Sequence, residues 1–278
     1  MVSLIDNQSS QRRLYEQIIF GQINNFLSRL VGKTRISRKI FNFYSRILPI
    51  PEITVRGVTI KAIIPLNQIG VYDTVKNWEI REPEVLDWID GFEKDCTFFD
   101  VGAGFGTETL YAALKSEGPK KIVSFDLSLE SSFNLAYNIM LNNITNVDQY
   151  YLALSDETKL VSFSEPTQYF FVAGRQKYDF LTYKTLSIST DKFIEMTNVF
   201  PDYIKIDVDG AEQDVIAGMR ETIKDIRLKS VVIEVSEASE AEIKKVFEKA
   251  GFRIDHERKL EDHFKNIIFR STAVRHAK

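Results

Sequence analysis

Cysteine occurs once in the 278 residues, as Cys96, which excludes an internal disulfide and a thiolate zinc cluster. Histidine occurs only at 256, 263 and 276, too sparse and scattered for a metal motif. No apolar run approaches the roughly 18 residues of a membrane span, and the N-terminus lacks a secretory apolar core. The net charge of −3 gives no global electrostatic case for nucleic acid. Internal repeats and low-complexity tracts are also missing. These absences read as a soluble protein of a reducing, cytoplasmic compartment. What is present is core-forming material: 44% of residues are hydrophobic and 12% aromatic, enough for one large domain or a domain with an appended segment.

Three regions separate along the chain. Residues 1–50 form a basic helical segment. Between 11 and 50 stand Arg12, Arg13, Arg29, Lys33, Arg35, Arg38, Lys39 and Arg46 against a single acid, Glu16. Ile18, Ile19, Ile23, Phe26, Leu27 and Leu30 recur there at helical spacing, and Pro49 and Pro51 close the stretch. Two readings stand: an amphipathic arm meeting a membrane surface, an acidic glycan or a partner chain, or helices packed on the remaining domain or across a dimer. Residues 51–80 read as a β-hairpin turning at Arg56-Gly57, then a linker. Residues 81–278 alternate strand and helix. Helix 82–92 leads to strand 97–102, helix 107–116, strand 121–126, helix 130–141 and strand 148–154. Strand 202–208, helix 211–225, strand 229–235 and helix 239–250 follow, with last strands near 252–256 and 264–270. Runs such as Ser230-Val-Val-Ile-Glu-Val235 are continuously apolar, as parallel strands covered on both faces require. The expected fold is α/β, a doubly wound and mostly parallel sheet with ligands at the strands' carboxyl ends. No helix separates the last two strands, so the last should run antiparallel.

Thr97–Gly106 is the most informative stretch: a short apolar strand, a loop with glycine at 102, 104 and 106, then a helix. Such a unit lets backbone amides approach a ligand closely. The dinucleotide spacing G-x-G-x-x-G would need glycine at 107, where Thr107 stands. Asp100, two residues before the first glycine, repels a pyrophosphate but suits a ligand with positive charge. S-adenosylmethionine (SAM) meets that requirement, with an ammonium, a sulfonium and no phosphate. Asp126 ends the next strand, where a carboxylate can accept both ribose hydroxyls.

The second informative stretch is Asp202-Tyr-Ile-Lys-Ile-Asp-Val-Asp-Gly-Ala-Glu212. Strand alternation puts Lys205, Asp207 and Asp209 on one face and Ile204, Ile206 and Val208 on the other. A lysine inside a central strand needs a carboxylate, and Glu234, Asp207 and Asp100 are the candidates. Asp209 and Glu212 also suit helix capping and dipole roles near Ala211.

Together, Phe99-Asp-Val-Gly-Ala-Gly-Phe-Gly106 and Ile204-Lys-Ile-Asp-Val-Asp-Gly-Ala-Glu212 resemble the FkbM family of SAM-dependent methyltransferases. Asn138-x4-Asn143 and Ala153-Leu-Ser-Asp156 fall where that family has a helix end and its third-strand turn, so the resemblance covers about residues 80–270. It implies a class I methyltransferase fold and methylation of a hydroxyl oxygen on sugars, glycans or secondary metabolites. By the same resemblance, Asp100, Gly102 and Gly104 hold the methionine part, with Ala103 and Phe105 in the same loop. Asp126, Leu127 and Ser128 serve the ribose, Leu154, Ser155 and Asp156 border the adenine, and Asp207 completes the cofactor set. Two departures stand out: Asp126-Leu127 replaces the family's usual Glu-Pro, and Asp209 replaces its usual Glu.

An alcohol acceptor needs its proton removed, and Asp207 is the first candidate for that base, followed by Glu212 and His263, with Lys205 beside them. No metal ligands are assigned. The alternative is metal assistance through Asp207, Asp209 and Glu234. The acceptor side is expected in the insertion 159–187, where Phe163, Tyr169, Phe170, Phe171, Tyr178, Phe180 and Tyr183 surround Gly174-Arg175. The competing functions are a methyltransferase fold that acts only as a binding module through its basic arm, and an NAD-linked oxidoreductase.

Overall fold

The computed structural model describes residues 52–62, 76–166, 180–260 and 263–273. The basic segment 1–50, the linker 63–75, residues 167–179 of the insertion and His276 lie outside the described residues. The chain opens with strands β1 (Glu52–Val55) and β2 (Val58–Lys61), paired antiparallel. Their turn is the one the sequence indicates: Arg56 and Gly57 both take positive φ, 46° and 82°, as a two-residue hairpin turn demands.

Helices α1 (Trp78–Arg81) and α2 (Pro83–Asp90) follow, then β3 (Thr97–Val101), α3 (Thr107–Leu114), β4 (Lys121–Phe125), α4 (Leu129–Leu141) and β5 (Val147–Tyr150). The short strand β6 (Ala153–Leu154) and the hairpin β7 (Lys159–Pro166) and β8 (Phe180–Ile188) form a separate three-stranded sheet, ordered β6-β8-β7. After α5 (Thr190–Thr197) come β9 (Tyr203–Ile206), α6 (Glu212–Ala217), β10 (Ser230–Ser236), α7 (Glu240–Lys249), β11 (Phe252–Lys259) and β12 (Phe264–Ser271). The main sheet has seven strands in the order β11-β12-β10-β9-β3-β4-β5. Its last strand, β12, runs antiparallel to both neighbours, as the missing helix implied, while β10, β9, β3, β4 and β5 are parallel.

Two expected elements are divided. The strand anticipated over 148–154 leaves the main sheet after Tyr150, and Ala153–Leu154 pairs with β8 instead. The helix anticipated over 211–225 stops at Gly218, where an added Cβ would lie 1.8 Å from the Ser155 carbonyl oxygen. A 3₁₀ turn, Thr222–Lys224, resumes only where the Asp191 carboxylate accepts the backbone N–H groups of Glu221 and Thr222, each at 2.9 Å.

The sheet carries a core on each face. Phe99, Val101, Ile204, Ile206, Val231 and Ile233 pack with Phe193 of α5, Val215 of α6 and Phe247 of α7. Phe98, Ile122, Tyr203 and Val232 pack with Trp88 of α2, Tyr111 of α3 and Ile60 of the hairpin. The pleat therefore assigns alternate residues of each central strand to opposite layers. Cys96 sits in the second core, and burial pushes its thiol up to about 12, which suits packing and not reactivity.

Candidate active site

The parity that sends Phe98 and Tyr203 into the α2–α3 layer also sends Asp100 and Lys205 there, and the β3–β9 register sets these two side by side. The same layer receives Glu234, because β10 pairs Val232 with Lys205 and so carries Glu234 level with Asp207 one pleat further on. Charge is thus concentrated at the carboxyl ends of β3, β9 and β10, on one face.

Lys205 is the only cation placed inside this cluster among the described residues. Its Nζ lies 3.1 Å from Asp207 Oδ2 and 3.7 Å from Glu108 Oε1. Burial alone would favour its neutral form, but Asp207, Glu108, Asp100 and Glu82 hold its pKa well above the ordinary lysine value. Carboxylates outnumber it. Burial, offset only partly by Lys205, pushes Glu108 to about 8. Burial and then Asp207 push Glu234 to about 8 as well. Asp100, Glu82 and Asp209 are raised too, each chiefly by burial.

Glu108 and Glu82 were not singled out by the sequence. In a linear reading Glu108 is an acid in the first turn of α3, an ordinary complement to a helix dipole. Only the adjacency of β3 and β9 turns it into a partner of Lys205.

The glycine loop and the second motif meet directly. Gly102 has φ +79°, and a Cβ built there would stand 1.7 Å from the Asp207 carbonyl oxygen, so no larger residue fits. Gly102 and Ala103 N–H groups donate to the Phe125 carbonyl at 2.9 and 3.0 Å, and Asp207 N–H donates to the Val101 carbonyl at 2.9 Å. Gly104, at φ +55°, has nothing within 4 Å of where a Cβ would stand. Its open side faces free space at the strand tips.

Asp126 Oδ2 accepts from Gly104 N–H and Oδ1 from Ser128 N–H, both at 2.7 Å. Burial raises this carboxyl to about 6 against those two donors. Each oxygen keeps a second acceptor position, so the latch on the loop leaves capacity for a diol. Ser128 also caps α4 through its side chain, accepting from Ser131 N–H, and the Leu127 carbonyl accepts the Tyr183 hydroxyl at 2.7 Å. That last bond ties the β7–β8 hairpin to the edge of the site, with Phe163 against Tyr183 at 5.7 Å between ring centroids. Tyr169, Phe170, Phe171, Gly174, Arg175 and Tyr178 lie outside the described residues, as does the side chain of Phe180.

The remaining candidates are placed differently. Asp100 is fully buried, donated to by the Thr109 hydroxyl at 2.6 Å, and its other oxygen has no partner among the described residues. The register beside Lys205 draws it inward, so it does not present a surface carboxylate to a ligand's ammonium. Glu212 turns back on itself, Oε1 accepting from Gly210 N–H at 2.8 Å. Asp209, at φ 51°, provides no side-chain cap for α6. His263 sits in the β11–β12 turn with its side chain 81% exposed, 3.6 Å from Glu237 and outside the Lys205 cluster. Leu154 is buried in β6, whereas Ser155 and Asp156 bond to each other and Asp156 pairs with Lys159. Glu234 makes no hydrogen bond or ion pair among the described residues, and no group of three or more Asp, Glu, His or Cys there is arranged to hold a metal ion.

A family model described as the methyltransferase FkbM domain matches residues 100–254. Among solved structures, the chain is similar to a methyltransferase FkbM from Methylobacillus flagellatus KT, at 13% identity and a TM-score of 0.49, covering 64% of this chain but 44% of that one. It is also similar to a ribosomal protein L11 methylase from Lactobacillus delbrueckii subsp. bulgaricus, at 16% identity and a TM-score of 0.44, over 67% and 76% of the two chains. A SAM-dependent methyltransferase from Aquifex aeolicus matches at 15% identity and a TM-score of 0.43, over 73% and 96%. No curated protein matches the sequence.

Proposed function

Because the chain belongs to the FkbM methyltransferase family, matched over residues 100–254, we propose that it uses SAM to methylate a hydroxyl oxygen of a sugar, glycan or secondary metabolite. The observation that carries this reading is the contact of Gly102 with the Asp207 carbonyl, which brings the glycine loop and the carboxylate motif to one point. The residues suit SAM on their own chemistry. Gly104 leaves an open cradle at the strand tips, and Asp126, latched to the loop by Gly104 N–H, offers further acceptor positions. Bound there, SAM would supply a methyl group already activated by its sulfonium.

The chain's part is to hold an acceptor at attack distance and to take its proton. Orientation alone can supply about 7–11 kcal/mol of the barrier. Lys205 fixes Asp207 at the β9 tip through their 3.1 Å contact and is too buried to meet an acceptor itself. Glu234 is the better proton acceptor of the two carboxylates, because no cation pairs with it and its pKa of about 8 suits a base working near neutrality. A screen with labelled SAM over carbohydrate, lipid-linked and small hydroxylated acceptors tests the reading. Turnover on hydroxyl acceptors should rise as the pH climbs toward 8, where Glu234 becomes ionised. Label on nitrogen or carbon acceptors alone would refute the hydroxyl assignment, and a flat pH profile would remove Glu234 as the base.

Cofactor binding has its own test. Asp126→Ala should weaken binding of S-adenosylhomocysteine about 10–100-fold in calorimetry, the value of one hydrogen bond to a charged group. Asp126→Asn, which keeps one acceptor oxygen, should lose less. Unchanged affinity in the alanine variant would place the nucleoside elsewhere.

A further inference from the structure

Helices α6 and α7 leave a groove between them. Each follows a parallel strand, β9 or β10, and both run back in the same direction along one face of the sheet. α6 has six residues and stops at Gly218, against the Ser155 carbonyl, whereas α7 continues for ten. The later turns of α7 therefore have the 3₁₀ turn Thr222–Lys224, and not α6, across a cavity of about 560 Å³. Its floor is apolar: Ile216, Ile223 and Ile243 are buried, and Ala217, Val246 and Ala250 are half-buried beside them. A volume and lining of this kind are those of a small-molecule site. The α2–α3 layer that receives Lys205 lies on the opposite face of the sheet, so the groove is not part of that cluster.

The two ends of the groove differ in chemistry. Gln213 and Glu242, in the first turns of α6 and α7, close one end, with Gln213 Nε2 donating to Glu242 Oε2 at 2.7 Å. Arg220, Lys224 and Lys249 line the other. Each of these cations by itself is an ordinary surface charge, and Lys249 suits the last turn of a helix. They come, however, from three places in the chain to the rim of one apolar cavity. Arg220 Nε donates to the Ala217 carbonyl at 3.0 Å, and its two terminal nitrogens have no partner among the described residues. Lys249 makes no hydrogen bond or ion pair among them either. Lys224 is shared with Glu221, 3.1 Å away.

We propose that this groove binds a free amphiphilic carboxylate, its apolar chain along Ile216, Ile243 and Val246 and its head group between Arg220 and Lys249. Charge selects that class. Two unpaired cations at the end of an apolar trough match a single anion, and the guanidinium fork suits a carboxylate held by two parallel hydrogen bonds. A neutral hydrocarbon would leave both cations unmatched, and a cationic amphiphile would be repelled at that end. The inference does not rest on the transfer chemistry.

Calorimetric titration of the full chain with sodium decanoate tests it. Decanoate should saturate at one site per chain. Acetate, which lacks the apolar chain, and decan-1-ol, which lacks the charge, should each bind at least about 10-fold more weakly. Arg220→Gln and Lys249→Gln should each weaken decanoate binding about 10-fold without shifting the thermal melt, since both side chains are exposed. Ala217→Trp, which fills the trough, should abolish it. Absence of saturable decanoate binding would overturn the proposal, as would decan-1-ol binding as tightly as decanoate or equal decanoate affinity in all three variants. Binding to phosphatidylcholine–phosphatidylglycerol vesicles without binding to free decanoate would make the surface a membrane contact, and would overturn it too.

Discussion

Lys205→Met is expected to cost about 3–5 kcal/mol of stability at pH 8–9, the scale for removing one partner of a buried charge pair. The cluster explains the size. Lys205 stands within 4 Å of Asp207 and Glu108 and pulls against the burial of Asp100 and Glu82. Without it these carboxylates face one another in a buried layer with no cation. The sign of the pH dependence follows from their raised pKa values. Glu108 and Glu234 hold their protons in the fold up to about 8 but lose them near 4.5 when unfolded. Between those values the folded state binds more protons, so the wild type itself loses stability as pH rises from about 4.5 to 8. In the variant the carboxylates stay protonated to still higher pH, so its deficit should be largest above pH 8 and shrink toward pH 5. Urea melts of both proteins at about pH 5 and pH 9 measure this. A deficit equal at both pH values would mean that Lys205 acts through packing and not charge.

Gly102→Ala should be the other severe change, costing about 3 kcal/mol or more and abolishing nucleoside binding. Two penalties add. A side chain at φ +79° is strained by about 1–2 kcal/mol. The methyl group must also displace the Asp207 carbonyl, which a Cβ would approach to 1.7 Å, and backbone cannot rotate away as a side chain can. Moving Asp207 disturbs its contact with Lys205, so the damage spreads into the charge cluster. Gly104→Ala is the contrasting case. Nothing lies within 4 Å of its Cβ position, so its stability loss should be confined to about 1–2 kcal/mol of backbone strain. Its added methyl enters the open cradle, however, and should obstruct the cofactor. Thermal melts and calorimetry on the two variants separate loop geometry from ligand contact. Equal stability losses would show that the close approach of β3 and β9 is not enforced at Gly102.

Elements set by local patterning were legible in the sequence. Arg56-Gly57 fixes a hairpin because a two-residue turn needs two positive φ values. The apolar run Val231-Val232-Ile233 in β10 specifies a strand covered on both faces, and the missing helix between the last two strands makes β12 antiparallel. Glycine spacing after β3 was visible for the same reason, as a property of a few consecutive residues, whereas the expected Lys-x-Asp-x-Asp alternation stops short, because β9 ends at Ile206 and Asp209 takes φ 51°.

What the sequence could not determine is which charges share a space. Asp100 reads as an open carboxylate at a strand tip, and the β3–β9 register draws it into a sealed layer beside Lys205. Glu108 and Glu82 read as helix-end acids, and the packing of α2 and α3 over that layer makes them part of the same network. Burial raises the Glu234 pKa, and Asp207 adds to it because β10 lies next to β9. The stop at Gly218 depends on Ser155, 63 positions away in the chain. Local preference acts over a turn or a pleat, whereas burial and Coulomb interaction depend on distances that exist only once the strands have taken their order. Sequence alone therefore determined the kinds of elements and the residues that carry chemistry; tertiary structure decided which of them are neighbours and what charge each one bears.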